Sequence, residues 1–395
     1  MMTDPVIIGD ATLYYGDALE CLTALPDESV HCCVTSPPYW GLRDYGVSGA
    51  IGLEPTFQEW LDKMVAVCRE VRRVLRKDGT FWLNCGDCYA ANRGYQVPDN
   101  KHVDVGNSSP MKVPDGFKPK DLLLMPARLA IALQTDGWWV RSEIIWAKPN
   151  PMPESVADRP TSAHEKIYLL TKSAKYFYDA DAVREKSDTP FHSIGGFREG
   201  NIDNNFKPNE YFNPDRATTT RNLRNVWTIA TQPYGEAHFA TFPEALPMKC
   251  IMAGTSERGC CPECGKPWER IVEIGKPEEA MIWKRARESA INDGRKPFES
   301  NMSASGTSII GHSGNFKADG SPISPVRNTV GFQPACDCGG EPIPCTVLDP
   351  FSGAATTGLV ALKLERRYIG IELNPDYIAL SIKRIEMEAR QEKLF

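Results

Sequence analysis

Three groups of residues have types and spacings that could do chemistry. Near the C-terminus, Val347-Leu348 ends an apolar run, Asp349-Pro350-Phe351-Ser352-Gly353 makes a tight turn, and Thr356-Thr357-Gly358 opens a helix. A glycine turn between strand and helix lets a ligand approach the backbone at the carboxyl edge of a sheet. About twenty residues further on, YIGIEL ends a second strand at Glu372, where an acid in a dinucleotide-type fold grips ribose hydroxyls. Asp349 and Glu372 together predict a nucleoside site. Near the N-terminus, VTSPPYW places Ser36 and Tyr39 around Pro37-Pro38. Neither proline can donate to a ladder, so the strand must end there in a stiff turn. The third group is Cys261-x-x-Cys264 with Cys336-x-Cys338, each pair followed by glycine. Four thiolates satisfy tetrahedral zinc, and Cys260 is an alternative to Cys261 as a ligand.

The elements around these groups alternate. TLYY has strand composition, GDALECLTAL puts Leu19, Leu22 and Leu25 at helical spacing, and SVHCCVTS is a buried strand. Trp60, Met64, Val67 and Val71 share one helical face; Asp78-Gly79 then turns the chain into the strand TFWLN. A further helix ends near Gly137, a strand runs through Ile144–Trp146, and KIYLLTKSAKYFYD reads as a hairpin at a sheet edge. A helix is expected from about Pro243 to Ala253. Strands alternating with helices predict a parallel-rich, doubly wound α/β sheet. Residues 184–224 are polar and irregular, as is the Ser/Gly-rich tract near 276–327, part of which is expected to be mobile.

A chain of 395 residues, 42% of them hydrophobic, can bury a full core with a smaller module attached. No apolar run approaches the roughly 20 residues that span a bilayer, and MMTDPVIIGD lacks the order of a secretory leader. The expected place is the cytoplasm, with no membrane partner. Thirteen cysteines, several inside apolar periodic segments, suit reduced core thiols better than a disulfide framework. A net charge of −6 gives no support of its own to a nucleic-acid partner.

The βαβ unit carrying Asp349 and Glu372 stands at the end of the chain, although it would form the first two strands of the fold. LYYGDALE would then be the third strand and CCVTSPPYW the fourth, beside the first across the switch point. In this permuted order the sequence strongly resembles the beta group of DNA amino-methyltransferases, which act on exocyclic amines of bases. The resemblance runs through GDALECL, TSPPYW, RVLRKDGTFWLNCGD, IIWAKPNPMPESVADRPTSAHEKIYLLTKS, HFATFPEAL, VLDPFSGAATTG and IGIELN. It implies a Rossmann-like α/β sheet that takes S-adenosylmethionine as methyl donor. Asp349, Phe351 and Gly353 would lie beneath the methionine part, with Thr35, Thr356 and Thr357 in the same pocket. Glu372 would hold the ribose hydroxyls and Asp17 the adenine amino group, unless Asp17 is simply the cap of the following helix. Phe242 and Pro243 match a further cofactor-contacting segment.

The resemblance also implies the chemistry. A ring-conjugated amine is a poor nucleophile; Ser36 Oγ and the rigid Pro37 carbonyl can accept its two hydrogens and favour a tetrahedral nitrogen, while Pro38 holds the turn and Tyr39 stacks on the base. The nucleotide must be flipped from duplex DNA. Serine as first residue of the motif resembles the N4-cytosine enzymes, whereas N6-adenine enzymes commonly carry Asp or Asn there. C5-cytosine chemistry needs a Pro-Cys nucleophile; Pro344-Cys345, the sole Pro-Cys pair, is misplaced for it. Arg159, Arg216, Arg221 and Arg224 lie among Thr and Asn and suit DNA contact. Zinc at Cys261, Cys264, Cys336 and Cys338 would clip an insert beside the cofactor half.

The expected organisation is a catalytic half at 1–183, target-recognition loops at 184–235, a cofactor-contacting helix segment at 236–256, a zinc-ribbon-like insert at 257–345 and a cofactor-binding half at 346–395. Expected partners are double-stranded DNA and a cognate restriction endonuclease. The rival of another class is a non-catalytic DNA-binding protein that retains the fold.

Overall fold

The computed structural model describes residues 4–41, 46–90, 113, 116–186, 220–232, 242–275 and 326–391. Arg216 and the Ser/Gly-rich tract lie outside the described residues. The chain divides into two compact units. The first comprises Met1–Ala182, Arg224–Glu269 and Phe332–Phe395, and the second Val183–Leu223 and Arg270–Gly331.

In the first unit, β1 (Val6–Ile8), β2 (Ala11–Tyr15), β3 (Val30–Thr35), β4 (Leu75–Cys85), β5 (Trp139–Ala147), β6 (His164–Thr171), β9 (Val226–Thr228), β12 (Thr346–Asp349) and β13 (Arg367–Glu372) form one mixed sheet in the order β1-β2-β13-β12-β3-β4-β6-β5-β9. The five strands from β2 to β4 are mutually parallel, whereas β1 and β6 pair antiparallel with their neighbours. The second unit holds β7 (Glu185–Lys186) paired with β8 (Thr220–Arg221); a separate two-stranded sheet joins β10 (Glu269–Gly275) to β11 (Val326–Gln333).

The central strands are buried along their whole length, as strands covered on both faces must be. All six residues of β3 are buried. Side chains alternate across it. Cys33 joins the core formed with α1 (Ala18–Thr23), α2 (Phe57–Val74) and α3 (Met125–Thr135). Cys32 faces the other way, where its thiol and Trp82 lie against Gly254 at the end of α4 (Ala245–Gly254). On that side α4 packs with α5 (Thr356–Lys363), and α5 with α6 (Pro375–Gln391). The expected apolar face of α2 is observed: Trp60, Met64, Val67 and Val71 are all buried. Its start is capped by Thr56, whose hydroxyl accepts the Glu59 N–H at 3.2 Å and donates to the Glu59 carboxylate at 3.1 Å.

Two expectations change. Asp78-Gly79 does not break the chain but sits inside the continuous strand β4, whose register against β3 jumps from Val30↔Leu75 to Cys32↔Thr80. Gly79 permits this bulge, because a Cβ there would lie 2.8 Å from the Leu75 side chain and 2.9 Å from the His31 carbonyl. KIYLL is not at an edge. β6 pairs with β4 on one side and β5 on the other, and no strand forms from KYFYD. Ile167, Tyr168, Leu169 and Leu170 are all buried, which an edge position would not provide. Among the described residues no helix is long and apolar enough to cross a membrane.

Candidate active site

The turn after β12 and the turn after β3 meet because those strands are neighbours, with Val347 opposite Cys32 and Leu348 opposite Cys33. From β12 the chain proceeds to β13 on one side; from β3 it proceeds to β4 on the other. Their carboxyl ends therefore flank the topological switch point, where open α/β sheets bind ligands. The decisive contact is a hydrogen bond of 2.6 Å from Thr35 Oγ1 to Asp349 Oδ1. It brings the residue before Ser36 onto the glycine turn from the far end of the chain.

Asp349 is 1% exposed and fully engaged: Thr357 Oγ1 donates to Oδ2 at 2.7 Å, and the Phe351 N–H to Oδ1 at 3.1 Å. Burial pushes its carboxyl up to about 6, against the opposing pull of those hydrogen bonds. Glu372 accepts the Gly353 N–H on Oε2 and the Asn374 N–H on Oε1, both at 2.8 Å. Burial raises its pKa as well. A carboxylate has about four lone-pair positions, so two N–H bonds leave capacity for ribose hydroxyls. Gly353 adopts φ +52°, and a Cβ built there would meet nothing within 4 Å, so open space borders the turn. Ala355 precedes α5 without any side-chain cap, and Thr356 and Thr357 begin the helix.

Asp17 lies at the same edge, two residues beyond the Tyr15–Glu372 pairing. Its Oδ1 accepts the Leu19 and Glu20 N–H groups at 2.9 and 3.1 Å, so it caps α1. Pro243 is buried and its carbonyl accepts the Leu246 N–H at 3.0 Å; Phe242 is half-buried.

The Ser36 turn is braced from α2, where Trp60 Nε1 donates to the Pro38 carbonyl at 3.0 Å. Tyr39 is folded inward. A Cβ on Gly86 would lie 2.6 Å from its ring, so the ring needs that glycine. Its hydroxyl donates to Glu165 Oε2 at 2.9 Å and lies 3.0 Å from Ser36 Oγ. Asn84 Nδ2 donates to Glu165 Oε2 at 2.8 Å and to the Tyr39 hydroxyl at 3.0 Å, and reaches Ser36 Oγ at 3.3 Å. Lys148 forms an ion pair with Glu165 Oε1 and lies over the Trp146 ring, 4.4 Å from its centroid.

Proton counting fixes the direction of this network. Glu165 can only accept, so the Tyr39 proton goes to it and Ser36 must donate to the Tyr39 oxygen. Asn84 offers two hydrogens to three acceptors, and its longest contact is to Ser36. Lone-pair capacity therefore remains on Ser36 Oγ. Burial first, and then the Glu165 charge, hold the Tyr39 phenol well above its usual range, so it stays a neutral donor.

The family model described as DNA methylase, of the N6/N4 type, matches residues 30–261 and 345–383. The chain belongs to the DNA methylase family. It is 38% identical to the Type II methyltransferase M.Cfr9I of Citrobacter freundii over 387 residues, 98% of this chain and 91% of that protein. It is 49% identical to the DNA adenine methyltransferase YhdJ of Escherichia coli (strain K12) over 381 residues, 95% of this chain and 83% of that protein. Among solved structures, the PvuII DNA methyltransferase (cytosine-N4-specific) shares the fold with a TM-score of 0.50 at 16% identity, covering 96% of this chain and 92% of that one.

Asn84, Lys148 and Glu165 of this DNA methylase were missed in the sequence. Asn84 follows Leu83, which pairs with Thr35, so the β3–β4 register sets it beside Ser36. Glu165 begins an antiparallel strand and thus reaches the edge where the parallel strands end.

Arg159 pairs with Glu154 at 2.6 Å and lies 3.9 Å over the Tyr89 ring; Arg224 offers its carbonyl to Trp227 Nε1 at 2.7 Å. Arg221 belongs to the second unit and pairs with Glu185 at 3.0 Å.

The ligand atoms of Cys261, Cys264, Cys336 and Cys338 lie within 4.8 Å of one another. Cys260 does not replace Cys261, because it belongs to a separate buried group with His31 and Cys345. Residues 262–344, which hold three of the four clustered cysteines, fall outside the family match.

Proposed function

We propose that this methylase transfers a methyl group from S-adenosylmethionine to the N4 amine of a flipped-out cytosine in double-stranded DNA. The observation that carries the reading is the 2.6 Å hydrogen bond from Thr35 to Asp349, which sets the Ser36 turn beside the glycine turn. The open space at Gly353, the spare acceptor capacity of Glu372 and the uncapped start of α5 suit an adenosyl amino acid. S-adenosylmethionine supplies an electrophilic methyl group when bound. Asp349, Phe351, Gly353 and Glu372 would hold it, with Asp17, Thr35, Thr356, Thr357, Phe242 and Pro243 around them.

The chain's own residues prepare the amine. Ser36 Oγ and the Pro37 carbonyl accept its hydrogens, and Pro37-Pro38, braced by Trp60, keep that carbonyl from reorienting. The Tyr39 hydroxyl leaves Ser36 as the base enters, and its ring becomes the stacking face. Asn84 and Glu165 receive the base on one side, and Lys148 pairs with Glu165. Arg159, Arg216, Arg221 and Arg224 contact DNA. A structural zinc at Cys261, Cys264, Cys336 and Cys338 completes the reading without a part in the reaction. The protein acts in the cytoplasm beside a cognate restriction endonuclease.

A serine at the first motif position supports cytosine, since its hydroxyl can donate to the ring nitrogen beside the amine while accepting from it. The likeness to an adenine methyltransferase favours N6-adenine as the second reading. Incubation with unmethylated DNA and labelled S-adenosylmethionine, followed by nucleoside mass analysis, decides between them: N4-methylcytosine is expected, and N6-methyladenine alone would replace the first reading with the second. A calorimetric titration showing no S-adenosylmethionine binding would favour a non-catalytic DNA-binding protein.

A further inference from the structure

Among the described residues two side-chain groups have the donor atoms and closeness to take a metal ion: Cys261, Cys264, Cys336 and Cys338, and the buried trio His31, Cys260 and Cys345. We infer that the methylase carries one zinc ion per chain, in the four-cysteine group alone, and that the loaded group is docked on the foot of β3 and β4. The inference deepens the zinc part of the proposed reading, on which it rests, and is independent of methyl transfer.

The trio is excluded by hydrogen bonds it already makes. His31 Nδ1 accepts the Thr346 N–H at 3.0 Å, and Nε2, which then carries the proton, donates to the Gly265 carbonyl at 2.9 Å. An ion on either nitrogen would break one of these bonds inside the protein. Cys260 Sγ is directed at the Pro344 carbonyl, 3.8 Å away. With both ring nitrogens engaged by the backbone, the histidine has no lone pair to offer an ion.

The four-cysteine group has the opposite character. Zinc–sulfur bonds of about 2.3 Å in a tetrahedron put sulfurs about 3.8 Å apart, and the four sulfurs already lie within 4.8 Å of one another. Cys264 and Cys338 are exposed, which leaves a route for the ion. Gly265 follows Cys264 at φ +68°, and Gly339 follows Cys338 at φ +80°; these left-handed positions let the backbone fold round the sulfurs. Two backbone bonds, Cys260 N–H to the Ile343 carbonyl at 2.8 Å and Ile343 N–H to the Cys260 carbonyl at 2.9 Å, hold the two arms side by side. Zinc binding releases the four thiol protons and leaves two net negative charges on the tetrathiolate. Arg76 stands next to it, with Nη1 donating to the Cys264 carbonyl at 2.8 Å. A Cβ on Gly265 would run into that guanidinium, so glycine is required both for the turn and for the docking. Together Arg76 of β4 and His31 of β3 fix the first knuckle to strands whose other ends carry Ser36 and Asn84.

The test is a metal count on the full chain purified without chelator, together with S-adenosylmethionine titration of the same preparation. One zinc per chain is expected in the wild type, in H31Q and in C345A, and a fall of at least tenfold in C264S and C338S. A wild-type zinc content below about 0.1 per chain, two ions per chain, or loss in H31Q with retention in C264S would overturn the inference. Should the cysteine variants fail to fold, cobalt(II) exchange into the wild type and H31Q decides: both must show the same four-thiolate absorption, and a changed spectrum in H31Q would place a histidine at the metal. Normal S-adenosylmethionine binding without zinc would sink the inference and leave the methyltransferase reading standing. Zinc without S-adenosylmethionine binding would do the reverse.

Discussion

β3 and β12 are joined by side chains at both ends, and the two joins differ in kind. At the carboxyl edge the Thr35 hydroxyl binds the buried Asp349 carboxylate; at the foot the Thr346 N–H binds the His31 imidazole. Around the upper join, hydroxyls, an amide and carboxylates share hydrogens, and Ser36, Tyr39, Asn84 and Glu165 can exchange partners. Around the lower join every polar atom of the histidine has one fixed backbone partner. One strand pair therefore supports a site whose hydrogen bonds must rearrange and an anchor whose hydrogen bonds must not.

The largest expected effect breaks the upper region alone. Ser36→Ala removes an acceptor for the amine, and methyl transfer should fall about 10²–10³-fold, as for loss of one preorganised polar group at a reacting centre. S-adenosylmethionine affinity and zinc content should stay at wild-type levels. Single-turnover kinetics with calorimetry would check this, and a rate within threefold of wild type would remove Ser36 from the chemistry.

Asp349 sharpens the contrast through pH. Its folded carboxyl is raised to about 6 from an ordinary 3.8, so between those values the folded state holds a proton that the unfolded chain has released. Stability from this group thus declines as pH rises from about 4 to about 6 and is level above that. Asp349→Asn cannot ionise, and the difference between wild type and variant should shift by on the order of 2–3 kcal/mol across the window. Urea unfolding at a series of pH values would show it; parallel curves would mean that the carboxyl is not held protonated.

Much of the upper region was legible because it rests on strand ends. Asp349, Gly353 and Glu372 are spaced by one βαβ unit, and the prolines after Ser36 mark where β3 must stop. Asn84, Lys148 and Glu165 were not legible, since their convergence depends on β6 entering antiparallel between β4 and β5. The same apolar run, KIYLL, fits an edge or an interior strand equally well until its neighbours are known. Local backbone also decided the choice between adjacent thiols: Cys260 is paired in a bridge with Ile343 and points to the trio, while Cys261 points to the four-cysteine group.

Glu165 tests whether the exchangeable network is also structural. Glu165→Ala leaves Lys148, Asn84 and Tyr39 without their common acceptor, and a loss of about 2 kcal/mol in unfolding free energy is expected. Tyr39→Phe deletes only one member and should cost about 1 kcal/mol. Equal losses in chemical denaturation would show that Glu165 does not organise the group.

The smallest effect belongs to the foot. His31→Gln keeps a planar amide near the imidazole position but cannot match both the Thr346 N–H and the Gly265 carbonyl, 3.0 and 2.9 Å from the two ring nitrogens. Loss of one such bond is worth about 1 kcal/mol. Because the histidine has no role as acid, base or ligand, the methyl transfer rate at saturating substrate should change by less than about twofold. A rate changed about tenfold or more in His31→Gln would mean that the foot is coupled to the reacting edge, and the lower join would then not be a fixed anchor separate from the exchangeable upper one.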